Sequence, residues 1–565
     1  MSYSAVSQTI SPLIGLAERI DSGLSQKIIF SIDSLSPTET DWYLITQRGD
    51  KPCIEANSYL SAATGLNHYL KYVAGTHVSW NNPTAELPGV LPAVTDTIRC
   101  ETPLHHRYYL NYCTHSYSMA FWDWQRWQQE IDFMALHGLN MPLVTTGTEA
   151  VWRNTLRRLD YPEDKIDAFI AGPGYQAWWL MNNLEGWGGP NTDEYYHRNI
   201  DLATHILSQM RQWGMQPVLP GYSGMMPHDA YTTLGIDVTD QGKWLGYTRP
   251  AFLQPVSEDF NHIAEIYYTE QERLFGKAPF YSMDPFHEGG SVEGINLEAS
   301  GKAIYDAMKH HSPDATWIIQ AWQENPRQKL LASIPSDSLI ILDLQSENAS
   351  IMPKRHNSLQ HRSWLFCMLH NFGGNIGLYG KMQALIDNYH AMADTIPGMT
   401  GIGLTMEGID TNPAVYELIC EMPWRNITDK TDWITDYAKA RYGTANNSAT
   451  EAWRILASSV YDCPADSIQQ GTCESLFCAR PSDHPHTAST WANSKRYYDY
   501  GDVRRAAKLM LNAADSLSDN PNFRYDLVDI IRQTVADRGR ETIDSLYLAY
   551  QSKDSAASIG LLTDL

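Results

Sequence analysis

The segment from residue 316 to 371 carries three short apolar runs, TWIIQAW (316–322), SLIILDLQ (338–345) and SWLFCMLHN (363–371). Each run has the length of a strand and passes into polar residues at its end. Polar and helical stretches separate the runs, and this alternation is typical of β-then-α units in a parallel sheet. We therefore expect parallel strands here, with polar side chains gathered at their carboxyl ends.

Five further runs extend this pattern in both directions: RYYLNYCT (107–114), MPLVTTG (141–147), MQPVLPG (215–221), FYSMDPF (280–286) and GIGLTME (401–407). Amphipathic segments lie between them, as in WDWQRWQQEIDFMALHG, where Trp124, Trp127, Ile131 and Met134 share one helical face. Eight β-then-α units over about 320 residues predict an α/β fold, a (β/α)8 barrel at residues 101–425. The alternative is an open doubly wound sheet.

The two ends of the chain have different patterns. Residues 1–100 contain an amphipathic helix, a strand-like KIIFSID (27–33) and two strand-like runs on either side of Arg48–Asp50, which predict a small α/β domain with a hairpin. Residues 426–565 contain helical patterns without strand signals, and they predict an all-α domain. In its longest helix we expect an apolar stripe of Leu527, Ile530, Ile531 and Val535.

The composition excludes several classes of protein. The 565 residues are 43% hydrophobic and 19% charged, which indicates a folded protein, and the net charge of −23 argues against nucleic acid as a partner. No stretch approaches the roughly 20 apolar residues of a membrane span. The first residues lack a signal-peptide pattern, so we expect that any export signal is absent from this chain. Because the eight cysteines match no zinc spacing, we predict neither a metal nor a cofactor.

Two strand-end glutamates are the strongest candidates for chemistry. Glu288 and Glu407 each follow an apolar run and precede a glycine. In a barrel, polar residues at the carboxyl ends of strands face the active site, and a carboxylate pair across its mouth suits glycoside cleavage. A single such glutamate is equally consistent with an ion pair or a loop residue, but aromatic residues in the loops favour the pair. These are Trp178, Trp179, Trp187 and Trp322, whose rings can stack on a sugar.

Longer segments carry a family resemblance. The segments RYYLNYCTHSYS, FWDWQRWQQEIDFMALHGLN, QMRQWGMQPVLPGYSG, CMLHNFGGNIGLYG and GLTMEGID resemble the α-N-acetylglucosaminidases of glycoside hydrolase family 89. The resemblance covers the chain from about residue 107 to 424 and extends to the arrangement of the flanking domains. It implies a glycan partner with terminal α-linked N-acetylglucosamine. Since the helical domain of that family usually runs well past the point where this chain stops, it also implies a truncated carboxyl-terminal domain.

The resemblance further implies roles for individual residues. Glu288 is the acid/base and Glu407 the nucleophile of a retaining mechanism. The implied sugar contacts are Asn111, Cys113, Tyr117, Glu149, Trp178, His287, Trp322, His370 and Asn371. His287 is a departure, because related barrel glycosidases often carry Asn before the acid. Cys113 could be read as a nucleophile on its own, but without an assignable His partner a buried structural thiol fits better.

Stereochemistry fits two glutamates that belong to the enzyme. In an α-linked N-acetylglucosamine the 2-acetamido group is cis to the leaving group and cannot attack from the back. β-Hexosaminidases instead use an Asp-Glu pair together with the acetamido group of the substrate. The candidate pair here is Asp193-Glu194, which lies in the loop that enters a predicted helix and not at the end of a strand. The acidic balance disfavours densely sulfated substrates and favours neutral glycans. The alternative function is a carbohydrate-binding protein with the same pocket but impaired catalysis; the sequence leaves the oligomeric state and compartment open.

Overall fold

The computed structural model describes residues 11–33, 40–348, 350–373, 375–465, 467, 471–472, 474–482, 485–489 and 496–565. Its amino-terminal part is a mixed sheet of β1 (Ile29–Ile32), β2 (Asp41–Arg48), β3 (Lys51–Ala56) and β4 (Ile98–Thr102), in the order β1-β3-β2-β4. The predicted hairpin is confirmed: β2 and β3 are antiparallel, with Arg48 opposite Lys51. The helices of this part are Ser11–Ile20, Leu24–Lys27 and Tyr59–His68, the last continued by a π-turn at Tyr69–Val73.

The central part is the barrel that the apolar runs predict. Its strands are β5 (His106–Tyr109), β6 (Met141–Pro142), β7 (Val218–Pro220), β8 (Phe280–Ser282), β9 (Thr316–Ala321), β10 (Leu339–Asp343), β11 (Ser363–Met368) and β12 (Met399–Leu404). All neighbours pair in parallel, in the order β6-β5-β12-β11-β10-β9-β8-β7. A parallel bridge between Leu143 and Val218 joins β6 to β7 and closes the circle. An open sheet is therefore ruled out.

Helices and short loop strands cover the outside of the barrel. The main helices after β5, β6, β7 and β8 are Trp124–Leu136, Thr148–Arg158 with Asp193–Gln212, Glu258–Phe275 and Leu297–His311. After β9 and β10 the helices shorten to Gln328–Leu331 and Met352–Arg355, and Met382–Thr395 and Pro413–Glu421 follow β11 and β12. Shorter helices lie at Tyr112–Thr114, Glu163–Phe169, Gln176–Leu180 and Ala230–Leu234. The strands themselves are lined by buried side chains, so the barrel is a packed core whose chemistry lies at its rim.

The carboxyl-terminal part is helical, with Lys430–Tyr442, Asn447–Ala457, Tyr500–Leu517, Pro521–Gln551 and Ser555–Asp564. The stripe expected in its longest helix is partly wrong, because Val535 is 53% exposed. The buried face of that helix is polar instead and includes Asp526, Gln533 and Asp537. Each of these finds a hydrogen-bond partner: Asp526 binds Arg441, while Gln533 and Asp537 share Tyr498. Apolar periodicity cannot reveal a face that is buried through polar pairs.

A buried ionic network joins the three parts. Lys71, from the amino-terminal part, donates to Glu417 (2.7 Å) and Glu421 (2.5 Å) on the helix after β12. The His77 ring lies 2.8 Å from the Glu417 carboxylate. Burial alone would raise the pKa of Glu417, but His77 and Lys71 outweigh this effect and hold the pKa well below its usual value. Asn522 of the carboxyl-terminal part donates to the His77 carbonyl at 2.9 Å. Because this network is out of water, each charge depends on its partner.

We expect Lys71→Met to destabilise the protein strongly, because it removes the buried lysine that Glu417 and Glu421 share. Glu421 keeps its ion pair with Arg425, but the fully buried Glu417 is left with His77 alone. Breaking a buried ion pair from one side costs about 3–5 kcal/mol, which corresponds to a fall of roughly 5 °C or more in the apparent Tm. Calorimetry measures this. The matched control is Lys302→Met, which removes a lysine whose side chain is 57% exposed beside Asp306. Equal Tm values for the two variants would contradict the role given to Lys71.

Candidate active site

The loop after β8 holds Glu288 in an unusual backbone conformation. Phe286 has φ 63° and Glu288 φ 47°, both in the left-handed region that non-glycine residues rarely occupy. Such conformations cost of order 1–3 kcal/mol each and persist where surrounding contacts enforce them. Here the Phe286 ring packs on Phe252 with centroids 4.6 Å apart, and Gly289 continues the turn at φ 85°. The loop thereby lifts the Glu288 side chain to the rim of the barrel.

Two neutral donors orient the Glu288 carboxylate. Asn183 Nδ2 donates to Oε2 at 2.7 Å, and Trp322 Nε1 donates to Oε1 at 3.0 Å. Asn183 is fully buried, so its amide is a fixed support. Trp322 follows β9, and Asn183 follows the short helix Gln176–Leu180 that carries Trp178. Each carboxylate oxygen is thus held from a different part of the barrel rim.

Arg249 holds the same loop through hydrogen bonds to its backbone carbonyls. Its Nη2 donates to the Glu288 carbonyl at 2.7 Å, and its Nη1 donates to the carbonyls of His287 and Asn182 at 3.3 and 3.1 Å. The side chain is buried, and its planar guanidinium reaches several acceptors at once. Arg249 therefore acts as a positioning residue for Glu288 and its partner Asn183.

Glu407 closes the other side of the rim. The backbone N–H of Gly373 donates to its Oε2 at 2.5 Å. Burial raises the pKa of the Glu407 carboxyl from 4.5 to about 7; the Gly373 donor opposes this rise, and the charge of Glu288 adds to it. Glu288 follows β8 and Glu407 follows β12, which are four strands apart in the closed eight-stranded order, so the two glutamates lie on opposite sides of the same barrel rim.

Side chains from the loops after β5 and β11 form hydrogen bonds with the backbone around Glu407. Asn111 Nδ2 donates to the Thr405 carbonyl at 3.1 Å, and Thr114 Oγ1 donates to the Met406 carbonyl at 2.5 Å. The Asn371 amide donates to the Gly408 carbonyl and accepts from the Gly408 N–H, at 3.1 and 3.2 Å. Asn111 and Asn371 are therefore placed as positioning residues, with their polar atoms turned toward backbone.

Cys113 and three aromatic residues lie in the loops around the glutamates; of these, Trp322 contacts Glu288 directly, and the Tyr117 hydroxyl lies near Gly373. Burial raises the pKa of the Cys113 thiol well above its usual value, and the charges of Glu407 and Glu288 raise it further. The thiol therefore stays protonated, which suits a wall residue and not a nucleophile. Tyr117 and Trp178 meet edge to face with centroids 5.3 Å apart, while Trp322 meets the ring of Phe372 at 5.6 Å.

Other candidates lie behind this space. Glu149 is fully buried and accepts from Gln176 and Asn199, at 2.5 and 2.7 Å. The buried His370 ring has its Nε2 3.0 Å from the Asn412 amide nitrogen, and the backbone N–H of His370 donates to the Glu347 carboxylate. His287 is buried beside Glu288, and its Nδ1 has no hydrogen-bond partner among the described residues. Trp179 is fully buried between Phe169 and Trp152 and belongs to the core.

No sequence pattern singles out Asn183, Arg249 or the backbone N–H of Gly373. Asn183 lies 105 residues from Glu288 and Arg249 lies 39 residues from it, in loops that begin at other strands. Their residue types are common in loops, and spacing alone carries no sign of the contact. The nearest signal for Gly373 is its place in HNFGG after β11, where a backbone donor can approach closely.

The chain matches the profiles of one family along nearly its whole described length. The "Alpha-N-acetylglucosaminidase (NAGLU) tim-barrel domain" matches residues 107–426. The amino-terminal and carboxyl-terminal domains of the same family match residues 11–93 and 433–562. The chain belongs to the α-N-acetylglucosaminidase family. Human α-N-acetylglucosaminidase is 36% identical over 525 residues, which are 89% of this chain and 69% of the human protein.

Solved structures of this family superpose closely. A family 89 glycoside hydrolase from Clostridium perfringens, in complex with 2-acetamido-1,2-dideoxynojirimycin, has a TM-score of 0.92 and 33% identity. A variant of that enzyme with two glutamates replaced by glutamine, bound to GlcNAc-α-1,4-galactose, has a TM-score of 0.93. Each comparison covers 98% of this chain, which spans 64% of the length of the Clostridium chains.

The family resemblance and the barrel predicted from sequence are thus confirmed. Among the residues that the structure describes, no three His, Cys, Asp or Glu side chains are grouped so as to hold a metal ion. Within the same ranges, no helix has the length and apolar character needed to cross a bilayer.

Proposed function

We propose that this protein is an exo-acting, retaining α-N-acetylglucosaminidase, with Glu288 as acid/base and Glu407 as nucleophile. The observation that carries the proposal is the pair of strand-end glutamates on opposite sides of one barrel rim, each with its carboxylate held by hydrogen-bond donors from neighbouring loops. Support for the substrate comes from family membership and from the relative that binds GlcNAc-α-1,4-galactose.

The proposed reaction has two displacements. Glu407 attacks the anomeric carbon while Glu288 protonates the glycosidic oxygen, which leaves with the rest of the glycan. Glu288, now a carboxylate, then takes a proton from water, and the resulting nucleophile releases the sugar from Glu407. Each step inverts the anomeric carbon, so the product keeps the α configuration. The proton donated in the first step leaves with the aglycone, and the proton taken from water in the second step restores the acid form of Glu288.

The surroundings of the two glutamates agree with these roles. Asn183 and Trp322 hold the Glu288 side chain in one orientation, as a group that donates and recovers a proton at one oxygen requires. Gly373 fixes one oxygen of Glu407. The pair that a substrate-assisted mechanism would use, Asp193-Glu194, begins a helix, and Asp193 is 73% exposed beside Arg153.

The sugar contacts remain part of the proposal. Cys113, Tyr117, Trp178 and Trp322 are assigned to contacts with the sugar ring, with support from the Trp322 hydrogen bond to Glu288 and the Tyr117–Trp178 ring contact. For Asn111, Glu149, His287, His370 and Asn371 the buried side chains suit a supporting shell, with direct contact to the substrate left as a prediction. The net charge of −23 favours neutral over densely sulfated glycans. Export from the cytoplasm also stays a prediction.

Hydrolysis of an aryl α-N-acetylglucosaminide tests the function directly. We expect aryl alcohol release from the α-anomer and none from the matched β-anomer. Proton NMR of the first turnovers should show α-N-acetylglucosamine before mutarotation. Appearance of the β-anomer first would overturn the retaining mechanism. Sugar binding without any release would favour the alternative, a carbohydrate-binding protein with impaired catalysis.

The pH dependence of kcat/KM gives a second test, because the proposed nucleophile must be ionised. Burial and the charge of Glu288 raise the pKa of Glu407 from 4.5 to about 7, so protonation removes the nucleophile already in mildly acidic solution. We expect an acidic limb between those two pH values. Thermal denaturation across the same range controls for unfolding. If kcat/KM falls only below pH 4.5, the ordinary pKa of a glutamate, the buried environment assigned to Glu407 is contradicted.

A further inference from the structure

A row of aromatic side chains leads from the candidate site to the protein surface. Tyr117 meets Trp178 (centroids 5.3 Å apart), Trp178 meets Tyr175 (6.5 Å), Tyr175 meets Trp187 (5.9 Å), Trp187 meets Tyr247 (4.9 Å) and Tyr247 meets Trp244 (6.4 Å). We call the outer four, Tyr175, Trp187, Tyr247 and Trp244, the aromatic strip. Tyr175 is 38% exposed and Trp187 47% exposed, which is unusual for rings that are in contact with one another.

The loop that carries Tyr175 and Trp187 is firmly held. The Gly172 N–H donates to the Trp187 carbonyl at 2.7 Å. A Cβ at Gly172 would lie 2.0 Å from the Gly188 carbonyl oxygen, and a Cβ at Gly188 would lie 2.7 Å from the Tyr175 ring. The two exposed rings are therefore held in place by a close crossing of backbone, which lowers the entropy lost when a ligand covers them.

The other half of the aromatic strip stands on a hairpin. Strands Lys243–Trp244 and Tyr247–Thr248 pair antiparallel, and the register places Trp244 opposite Tyr247 on the same face. Directly after the hairpin comes Arg249, which binds the Glu288 carbonyl. The hairpin is thus attached to the loop of the proposed acid, and the acid protonates the oxygen that joins the sugar to its leaving group.

From this continuity we infer that the aromatic strip binds the leaving-group portion of the substrate, as a platform for the neutral sugars beyond the scissile bond. The inference rests on the proposed function, which places the terminal sugar at the glutamates. Exposed, preorganised Trp and Tyr rings suit the apolar faces of pyranose rings, and they dominate binding energy in many interfaces. The chemistry selects a neutral oligosaccharide chain and not a single aryl glycoside, which ends before it reaches Trp187.

The test compares two substrates in the same protein. One is an aryl α-N-acetylglucosaminide, and the other is a neutral tetrasaccharide with a terminal α-linked N-acetylglucosamine. The measured quantity is the ratio of kcat/KM for the tetrasaccharide to that for the aryl glycoside. We expect Trp187→Ala and Tyr247→Ala each to lower this ratio about tenfold, and Trp187→Phe to restore part of it. Tyr550→Ala, at a 68% exposed ring near the end of helix Pro521–Gln551, is the control and should leave the ratio unchanged.

The outcomes separate this inference from the proposed function. An unchanged ratio in both alanine variants, with unaltered Tm, would overturn the platform; self-association lost in those variants would assign the rings to a protein contact instead. If the wild-type protein hydrolyses neither substrate, the proposed function has failed. In that case the neutral trisaccharide, which is the tetrasaccharide without its terminal N-acetylglucosamine, is titrated with the protein, and binding is followed by the broadening of its NMR lines. Binding about tenfold weaker in Trp187→Ala supports the platform, and equal or absent binding refutes it.

Discussion

Glu407→Gln is expected to abolish turnover, with kcat lower by at least about 10⁴-fold, while the fold and sugar binding are retained. Glutamine has nearly the same shape as glutamate, and its carbonyl oxygen can still accept from the Gly373 N–H. It lacks the negatively charged oxygen that would attack the anomeric carbon, and its neutral amide is a poor nucleophile. The loss should therefore appear in kcat for every α-N-acetylglucosaminide, whatever its leaving group.

Kinetics and mass spectrometry together check this expectation. Titration of GlcNAc-α-1,4-galactose into Glu407→Gln should give binding, and Glu194→Gln, at an exposed glutamate near the start of helix Asp193–Gln212, should keep full activity. In the wild-type protein, a slow activated substrate should label the peptide that contains Glu407 with one sugar. A label on another residue, or a loss below tenfold in Glu407→Gln, would remove the nucleophile assignment.

Glu288→Gln should lower kcat/KM for a disaccharide by about 10²–10⁴-fold, the range typical for loss of a positioned acid. The loss should depend on the leaving group, because a dinitrophenolate departs without a proton and needs no acid in the first step. The second step would still be slow, since Glu288 also activates water. Added azide, a nucleophile that needs no base, should therefore speed up release of the sugar from the activated substrate.

Substrate comparison is the decisive measurement for Glu288. The disaccharide should lose far more activity than the dinitrophenyl glycoside, and azide should raise only the turnover of the variant. Equal losses with both substrates, and no effect of azide, would show that Glu288 acts as a support for the loop and not as the acid. The glutamine amide can accept from only one of the Asn183 and Trp322 donors, because its NH2 group faces the other. The comparison therefore includes the Tm of the variant, and an unchanged Tm shows that the loop is retained.

The barrel could be predicted because its strands are buried and short. Runs such as TWIIQAW and SLIILDLQ match β9 and β10 closely, since every residue inside such strands is apolar or enclosed. MPLVTTG was less informative: β6 covers only Met141–Pro142, and the single bridge from Leu143 completes the circle. Val535 was misassigned because polar pairs bury its helix, and hydrophobic periodicity is blind to such pairs.

The two glutamates stood out for a similar reason, since each one ends an apolar run before a glycine. Their supports did not, because Asn183 and Arg249 reach Glu288 from loops whose course depends on tertiary contacts. Strand-end position also leaves the surroundings of a neighbour open. Glu149 comes shortly after β6, and its carboxylate accepts hydrogen bonds from Gln176 and Asn199 in a buried cluster, while its contact with substrate stays a prediction. Chain position predicts which rim a residue reaches, and only packing decides which way it faces.

During synthesis Lys71 is translated well before its partners Glu417 and Glu421, which follow it by 346 and 350 residues. Once the helix after β12 is made, Glu421 can pair with the nearby Arg425, but Glu417 gains its lysine partner only when this last barrel segment meets the amino-terminal part. A gene fragment that starts at residue 101 would leave Glu417 and Glu421 permanently without Lys71 and His77. Attempts to produce the barrel by itself should accordingly yield insoluble protein, and co-expression with the missing amino-terminal fragment offers a route to recovery.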